Sequence, residues 1–120
     1  MPHGPRFEKL ANEAKARIRE ISAAEAAKLQ LQGAILVDVR EADEFAKEHA
    51  SNALGLSKGV IELKIEQQVP DPATPIVCYC GGGNRSALVA DNLQKMGYKD
   101  VMSVAGGFKA WKEANLPTDS

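Results

Sequence analysis

Apolar and polar residues along this chain follow two periods, one typical of strands and one typical of helices. Short apolar runs that are rich in β-branched residues and bounded by turn-forming residues indicate buried strands. Such runs occupy residues 35–39, 76–79 and 101–104, with a weaker one at 53–56, and a further short strand is predicted over residues 18–21. The apolar character of residues 35–39 is typical of a parallel sheet, in which both faces of a strand are covered.

The segments between these runs carry apolar residues three or four positions apart, as amphipathic helices do. An N-terminal helix is predicted from the spacing of Phe7, Leu10, Ala11, Ala14 and Ile18. A second helix begins with the capping-box pattern of residues 22–25 and stops at Gly33. Further helices are predicted over residues 41–48, 57–68, 86–96 and 108–113. Strands that alternate with helices in this way predict an α/β fold, with a mostly parallel sheet covered on both faces.

The length of 120 residues suits one hydrophobic core, so we expect a single domain over residues 1–120, with residues 1–17 as an N-terminal helical extension. Hydrophobic residues make up 44% of the chain and charged residues 26%, which is ordinary for a globular protein. The formal net charge of -1 gives no electrostatic reason to expect a nucleic acid or membrane partner. The first twenty residues include three glutamates and lack the apolar segment of a signal peptide, so we expect a cytoplasmic protein.

The two cysteines, Cys78 and Cys80, are both expected to be reduced. Residues i and i+2 of an extended strand lie near or beyond the limit of about 7 Å between Cα atoms that a disulfide tolerates. A structural zinc ion needs four ligands, and only His3 and His49 are available to join the cysteines. We therefore predict no metal ion and no cofactor.

Cys80 lies at a predicted strand-to-helix turn, and this position is the main clue to the chemistry. Glycine tolerates positive φ, so the turn can aim successive backbone N–H groups at one point. The start of the following helix adds partial positive charge there, and Arg85 adds a full charge. The predicted anion cradle comprises Gly81, Gly82, Gly83, Asn84, Arg85 and Ser86. We interpret Cys80 as a reactive nucleophile held as a thiolate in this cradle.

Other polar residues follow the predicted strands, and the carboxyl ends of parallel strands share one rim of a sheet. Asp38, Arg40 and Lys58 are therefore possible supporting residues of the site. For Asp38 and Arg40 a structural ion pair is the favoured interpretation, and for Lys58 a solvated side chain is an equal alternative. Cys78 is interpreted as a small core residue and His49 as a capping or packing residue.

Four segments in order give the chain a resemblance to the single-domain rhodaneses, a family of sulfurtransferases. They are residues 36–45, residues 49–53, residues 80–86 and residues 106–117, and the resemblance extends from Ile18 to Thr118. It implies a three-layer α/β fold with a central five-stranded parallel sheet. It also implies that Cys80 carries sulfur as a persulfide within a loop of backbone N–H groups.

The composition of the loop refines the expected chemistry. Four residues separate Cys80 from Arg85, one fewer than in the related phosphatases, and the smaller ring suits a sulfur atom better than a phosphate. Phosphatase and arsenate reductase activities are therefore disfavoured. Rhodaneses that use thiosulfate often carry a basic residue directly after the cysteine, whereas this chain has Gly81 there. This departure leaves room for a persulfide or polysulfide donor.

The resemblance and the residues together predict a sulfurtransferase of the thiosulfate type. Its expected partners are small sulfur donors and acceptors (thiosulfate, cyanide and thiols), and a protein donor or acceptor is possible. One alternative is a sulfur carrier that receives sulfur from a protein partner. Another is a non-catalytic binding module, which has no need of an intact cysteine and arginine in a glycine-rich loop.

Overall fold

The computed structural model describes residues 3–120 of the chain; residues 1 and 2, where the predicted extension over residues 1–17 begins, lie outside the described residues. Six helices and seven strands alternate along this part of the chain. The helices are α1 (Pro5–Arg17), α2 (Ala23–Leu31), α3 (Ala42–Lys47), α4 (Ile61–Gln68), α5 (Asn84–Lys95) and α6 (Gly107–Glu113). The strands are β1 (Arg19–Ile21), β2 (Ile35–Asp38), β3 (His49–Ala50), β4 (Leu54–Gly55), β5 (Ile76–Tyr79), β6 (Val101–Val104) and β7 (Thr118–Asp119).

Five strands form one sheet in the order β1-β6-β5-β2-β4. Every pair of neighbours in it is parallel, which confirms the predicted central sheet. β5 lies in the middle, between β2 and β6, and is buried along its whole length. The residue that follows β5 therefore emerges at the centre of the carboxyl rim, where ligands bind in open parallel sheets.

Helices cover both faces of the sheet, because side chains along a strand alternate between its faces. Ile76 and Cys78 of β5 pack in the cluster that contains residues of α4 and α5. Val77 and Tyr79 pack in the opposite cluster, which contains residues of α2 and α6. Burial of a large apolar side chain contributes about 1.5–3 kcal/mol, so these two clusters account for the cohesion of the three layers.

Two helices begin at residues other than the predicted ones. The helix after Cys80 begins at Asn84 rather than at residue 86, because Gly83 at φ 105° supplies its N-terminal turn. The helix predicted over residues 57–68 begins only at Ile61. The residues before it form a turn in which the amide of Lys58 donates to the carbonyl of Val39.

Two further features were not predicted from the pattern. The two-residue strands β3 and β7 pair in an antiparallel manner and bring the C-terminal end of the chain beside α3. The N-terminal helix α1 packs against α5, and Arg17 binds the buried carboxylate of Asp91 with a shortest distance of 2.7 Å. Over residues 3–120, no helix has the length and apolar character needed to cross a membrane.

Candidate functional site

The loop between β5 and α5 surrounds the sulfur atom of Cys80. The backbone N–H of Gly83 donates to Sγ at 3.0 Å, and the hydroxyl of Ser86 donates to it at 3.4 Å. The positive φ of Gly83 turns its amide inward, as the glycine-rich sequence predicts. From the sequence we expected several backbone amides to converge on this point. Among the described residues, the hydrogen bonds to Sγ come instead from one amide and one side-chain hydroxyl.

Ser103 supports this arrangement from the neighbouring strand β6. Its hydroxyl lies 2.8 Å from that of Ser86, and both residues are fully buried. A hydroxyl has one proton to donate, so when Ser86 donates to Sγ, Ser103 must donate to Ser86. Ser103 was not predicted from the sequence as a residue of the site. The sequence feature that could have indicated it is a single hydroxyl residue within the otherwise apolar run of β6.

Gly106 and Gly107, at the start of α6, lie against the backbone of the cysteine loop. Gly107 has a φ of 56°, and a Cβ atom there would overlap the carbonyl oxygen of Cys80 and lie 2.7 Å from that of Gly81. The amide of Phe108 donates to the Cys80 carbonyl at 2.7 Å, and that of Lys109 donates to the Gly81 carbonyl at 3.3 Å. The carbonyls of Cys80 and Gly81 are thus held by the first turn of α6.

Arg85, in the first turn of α5, pairs with Glu44 and has no hydrogen bond to the Cys80 sulfur in the described chain. Its Nη1 lies 3.4 Å from Oε1 of Glu44, which belongs to α3. Its Nη2 lies 3.6 Å from the place where a Cβ of Gly81 would be. Glu44 is a member of the site that the sequence analysis did not single out, because only the tertiary structure brings α3 to the loop.

The remaining cradle residues differ in their surroundings. The side-chain amide of Asn84 lies 2.8 Å from Nδ1 of His3, so the segment before α1 reaches the loop. Gly82 is exposed, and a Cβ there would meet no atom within 4 Å. Gly82 therefore adds no side-chain cover to the exposed part of the loop.

Cys78 and Cys80 are both free and buried, yet their environments differ. Burial, together with the charge of Cys80, raises the pKa of the Cys78 thiol to about 12. Cys78 is therefore held as a neutral thiol among apolar side chains, and a neutral thiol is a poor nucleophile. No hydrogen bond reaches its sulfur from the described part of the chain, in contrast to the sulfur of Cys80.

The loop after β2 contains the ion pair that the sequence analysis favoured. Arg40 Nη2 lies 2.8 Å from Asp38 Oδ2 and donates to the carbonyl of Glu48 at 2.6 Å. The guanidinium also lies 4.4 Å from the ring centroid of Phe108. Burial acts to lower the pKa of Arg40, but the hydrogen bonds and charge of Asp38 outweigh it and raise the pKa.

Two other candidates lie apart from the sulfur. Within residues 3–120 the side chain of Lys58 has no hydrogen bond and no ion pair. His49 stacks on Phe45, with 3.9 Å between ring centroids, and its Nδ1 lies 2.8 Å from the Phe45 carbonyl. These contacts are the packing interactions expected for His49. Nowhere in the described chain do three His, Cys, Asp or Glu side chains cluster so as to hold a metal ion.

A cavity of about 220 Å³ lies among residues of α3, β4 and α4 and the loops beside them. It is lined by Arg40, Ala42, Phe45, Gly55, Leu56, Ser57, Val60 and Lys64. Neither Cys80 nor any other residue of its loop lines this cavity. The cavity is therefore separate from the cysteine loop, in which Cys80 itself is 1% exposed.

Comparison with known proteins agrees with this architecture. The family model of the rhodanese-like domain matches residues 22–114. A thiosulfate sulfurtransferase GlpE from Haemophilus influenzae is 39% identical over 102 residues, covering 85% of this chain and 95% of that protein. The GlpE protein from Coxiella burnetii is 39% identical over 84 residues, covering 70% and 76% respectively.

Two solved structures are similar over nearly the whole chain. A protein of unknown function from Rhodopseudomonas palustris, described as a possible tyrosine phosphatase, has a TM-score of 0.83 and 31% identity, and the match covers 99% of both chains. The polysulfide-sulfur transferase homodimer from Wolinella succinogenes has a TM-score of 0.81 and 29% identity, covering 95% of this chain and 87% of that one. The parallel sheet, the cysteine loop at its centre and the match over residues 22–114 all lead to the same result: this chain belongs to the rhodanese-like family.

Proposed function

We propose that this protein is a sulfurtransferase in which Cys80 accepts a sulfane sulfur atom and passes it to a thiophilic acceptor. The observation that carries the proposal is the pair of donors, Gly83 N–H and Ser86 O–H, directed at the Cys80 sulfur. Donors to a sulfur stabilise it as an anion, which is the reactive form of cysteine. The names of the similar proteins, thiosulfate sulfurtransferase and polysulfide-sulfur transferase, support the same chemistry.

The proposed reaction has two displacement steps. The Cys80 thiolate attacks the outer sulfur of thiosulfate, a new S–S bond forms, and the S–S bond of the donor breaks with its electron pair leaving on sulfite. The persulfide Cys80–S–S⁻ retains one negative charge. Cyanide then attacks the terminal sulfur, thiocyanate departs, and the thiolate is restored. This is covalent catalysis, which divides one transfer into two easier steps.

The loop residues take distinct parts in this scheme. Gly83 and Ser86 stabilise the negative charge of the thiolate, and Ser103 orients the Ser86 hydroxyl. Arg85 provides a guanidinium in the first turn of α5, where the anionic part of a donor would approach. Gly81 and Gly82 keep this part of the loop free of side chains. The steps use no metal ion and no organic cofactor.

The experiment that tests the proposal is intact-protein mass spectrometry before and after exposure to thiosulfate or polysulfide. We expect the native protein to gain the mass of one sulfur atom and to lose it again when cyanide is added. Cys80→Ser should gain nothing, whereas the matched variant Cys78→Ser should behave as the native protein, because the Cys78 thiol is buried and neutral. Equal loss in both variants would contradict the assignment and indicate a redox pair.

Phosphate ester hydrolysis is the second candidate, because the similar protein from Rhodopseudomonas palustris is described as a possible tyrosine phosphatase. The four-residue spacing between Cys80 and Arg85 and the pairing of Arg85 with Glu44 favour sulfur transfer. Hydrolysis of an aryl phosphate by the native protein, lost in Cys80→Ser, would favour the phosphatase. A persulfide that forms without turnover to cyanide or thiols would indicate a sulfur carrier that serves a protein partner.

A further inference from the structure

We propose that Glu44 is a specificity-determining residue that makes this loop discriminate against dianionic sulfur donors and favour donors without a fixed charge. The inference rests on the proposed sulfur transfer through Cys80. It assigns a part of the donor selection to a residue of α3, outside the loop itself. The geometry that carries it is the juxtaposition of Glu44 and Arg85.

Glu44 pairs with the guanidinium of Arg85, to which an anionic donor would also bind. The ion pair measures 3.4 Å between Arg85 Nη1 and Glu44 Oε1, and the two side chains are 32% and 39% exposed. A pair that is open to water is readily exchanged for another partner. An anionic donor that binds Arg85 must therefore compete with a carboxylate that is already there.

Glu44 is also held in place independently of Arg85. It lies in the first turn of α3, where its Oε1 accepts the backbone N–H of Glu41 at 3.2 Å, as part of a reciprocal capping box. The same oxygen therefore faces both the helix end and Arg85. When a donor binds Arg85 in place of Glu44, the Glu44 carboxylate remains close to the bound donor and keeps its negative charge.

The effect of that charge depends on the donor. Thiosulfate brings two negative charges to the loop, and position 81, which would direct a side chain toward Arg85, is a glycine that adds no positive charge. Repulsion between a carboxylate and a dianion several ångströms away, in a partly aqueous setting, lowers kcat/KM on the order of three- to tenfold. A hydropersulfide with a neutral organic group brings at most one negative charge, and a thiolate attacks it in its neutral R–S–SH form, so it is subject to little of this repulsion.

The test compares two donors in Glu44→Gln and in the matched control Asp43→Asn. Glutamine keeps an oxygen that accepts the Glu41 N–H, so α3 retains its cap while the charge is removed. Asp43 lies in the same turn, is exposed and has no ion pair in the described chain. The donors are thiosulfate and 2-hydroxyethyl hydropersulfide, whose terminal sulfur is transferred as the organic thiolate leaves.

We expect Glu44→Gln to raise kcat/KM for thiosulfate by roughly three- to tenfold and to change that for the hydropersulfide less than twofold. The gain should shrink as salt is added, because exposed charges are screened. Asp43→Asn should leave both values within about twofold of native, since the effect of a charge falls with distance.

Three outcomes would overturn the inference: no gain with thiosulfate, an equal gain with both donors, or an equal gain in Asp43→Asn. The failure of the underlying function has a different signature. If the native protein acquires sulfur on Cys80 from neither donor, the sulfurtransferase proposal fails, and this inference fails with it.

Discussion

An arginine follows each of the neighbouring strands β2 and β5, and the two arginines are held in opposite ways. Arg40, two residues after the end of β2, is 8% exposed and binds both oxygens of Asp38, the last residue of that strand. Arg85, in the first turn of α5, is 32% exposed and makes a single longer contact with Glu44 of α3. Both arginines lie at the same rim of the sheet.

The difference between the two arginines shows that one rim of the sheet holds both a charge with a structural role and a charge that is available to a substrate. Nε and Nη2 of Arg40 donate to Asp38 and to the Glu48 carbonyl, and the guanidinium lies 4.4 Å from the ring centroid of Phe108, so these contacts hold the side chain in the fold. The Arg85 guanidinium has one exposed partner, which can be exchanged. An arginine is suited to donor recognition when its pairing is sparse and exposed, and to structure when its pairing is extensive and buried.

The largest effect is expected on breaking the buried pair. Asp38→Ala leaves the Arg40 charge buried beside apolar side chains, which costs about 3–5 kcal/mol. That is a large part of the 5–15 kcal/mol that is usual for a domain. Removal of the exposed partner in Glu44→Ala should cost about 1 kcal/mol or less. Urea unfolding of both variants measures the difference in their free energies of unfolding. Similar losses of stability in the two variants would contradict the distinction between the buried and the exposed pair.

A kinetic effect is expected at the exposed arginine. Arg85→Ala removes a charge-assisted contact with the donor, worth about 1.5–3 kcal/mol, so kcat/KM for thiosulfate should fall on the order of ten- to a hundredfold. The stability of the fold should change little. Arg85→Lys should not restore the rate fully, because an ammonium lacks the planar fork of a guanidinium. Unchanged thiosulfate kinetics in Arg85→Ala would show that the backbone loop acts without this side chain.

The smallest effect is expected at the ion pair between Arg17 of α1 and Asp91 of α5. This pair is intermediate in burial, because Arg17 is exposed and Asp91 is buried. The hydrogen bond from Arg17 lowers the pKa of Asp91, although burial opposes the shift. A lowered pKa in the folded state stabilises the protein above the ordinary aspartate pKa of about 3.9, and this contribution is lost as pH falls through the folded-state value. Asp91→Asn should therefore be less stable than the native protein at neutral pH, by less than the loss in Asp38→Ala.

The pH dependence supplies the check on this last prediction. The gap in urea midpoint between native protein and Asp91→Asn should close in acid, below the folded-state pKa of Asp91. The control Glu25→Gln removes one partner of the exposed pair with Arg19 and should show a smaller gap at neutral pH. A gap for Asp91→Asn that is unchanged in acid would mean that the ion pair is not its cause.

Local sequence was enough to predict the sheet and the place of the candidate site. The β-branched runs at residues 35–38 and 76–79 each form a strand, because an apolar run of that length between turn-forming residues has few other ways to be buried. Gly83 adopts the positive φ that the turn after Cys80 was predicted to need, since a residue without Cβ has no steric penalty there.

Tertiary structure alone decided which partners each side chain of the site meets. Ser103 reaches Ser86, Glu44 reaches Arg85 and Gly107 fits against the Cys80 carbonyl through contacts between residues far apart in the chain. The two-residue pairing of β3 with β7 is equally non-local. Hydrophobic periodicity reports how one segment is buried, and it contains no information about which distant segment supplies the next hydrogen bond or charge. The cysteine and its turn were thus determined by the sequence, whereas the neighbours that tune its donor selection were determined by the packing of α3, β6 and α6 around it.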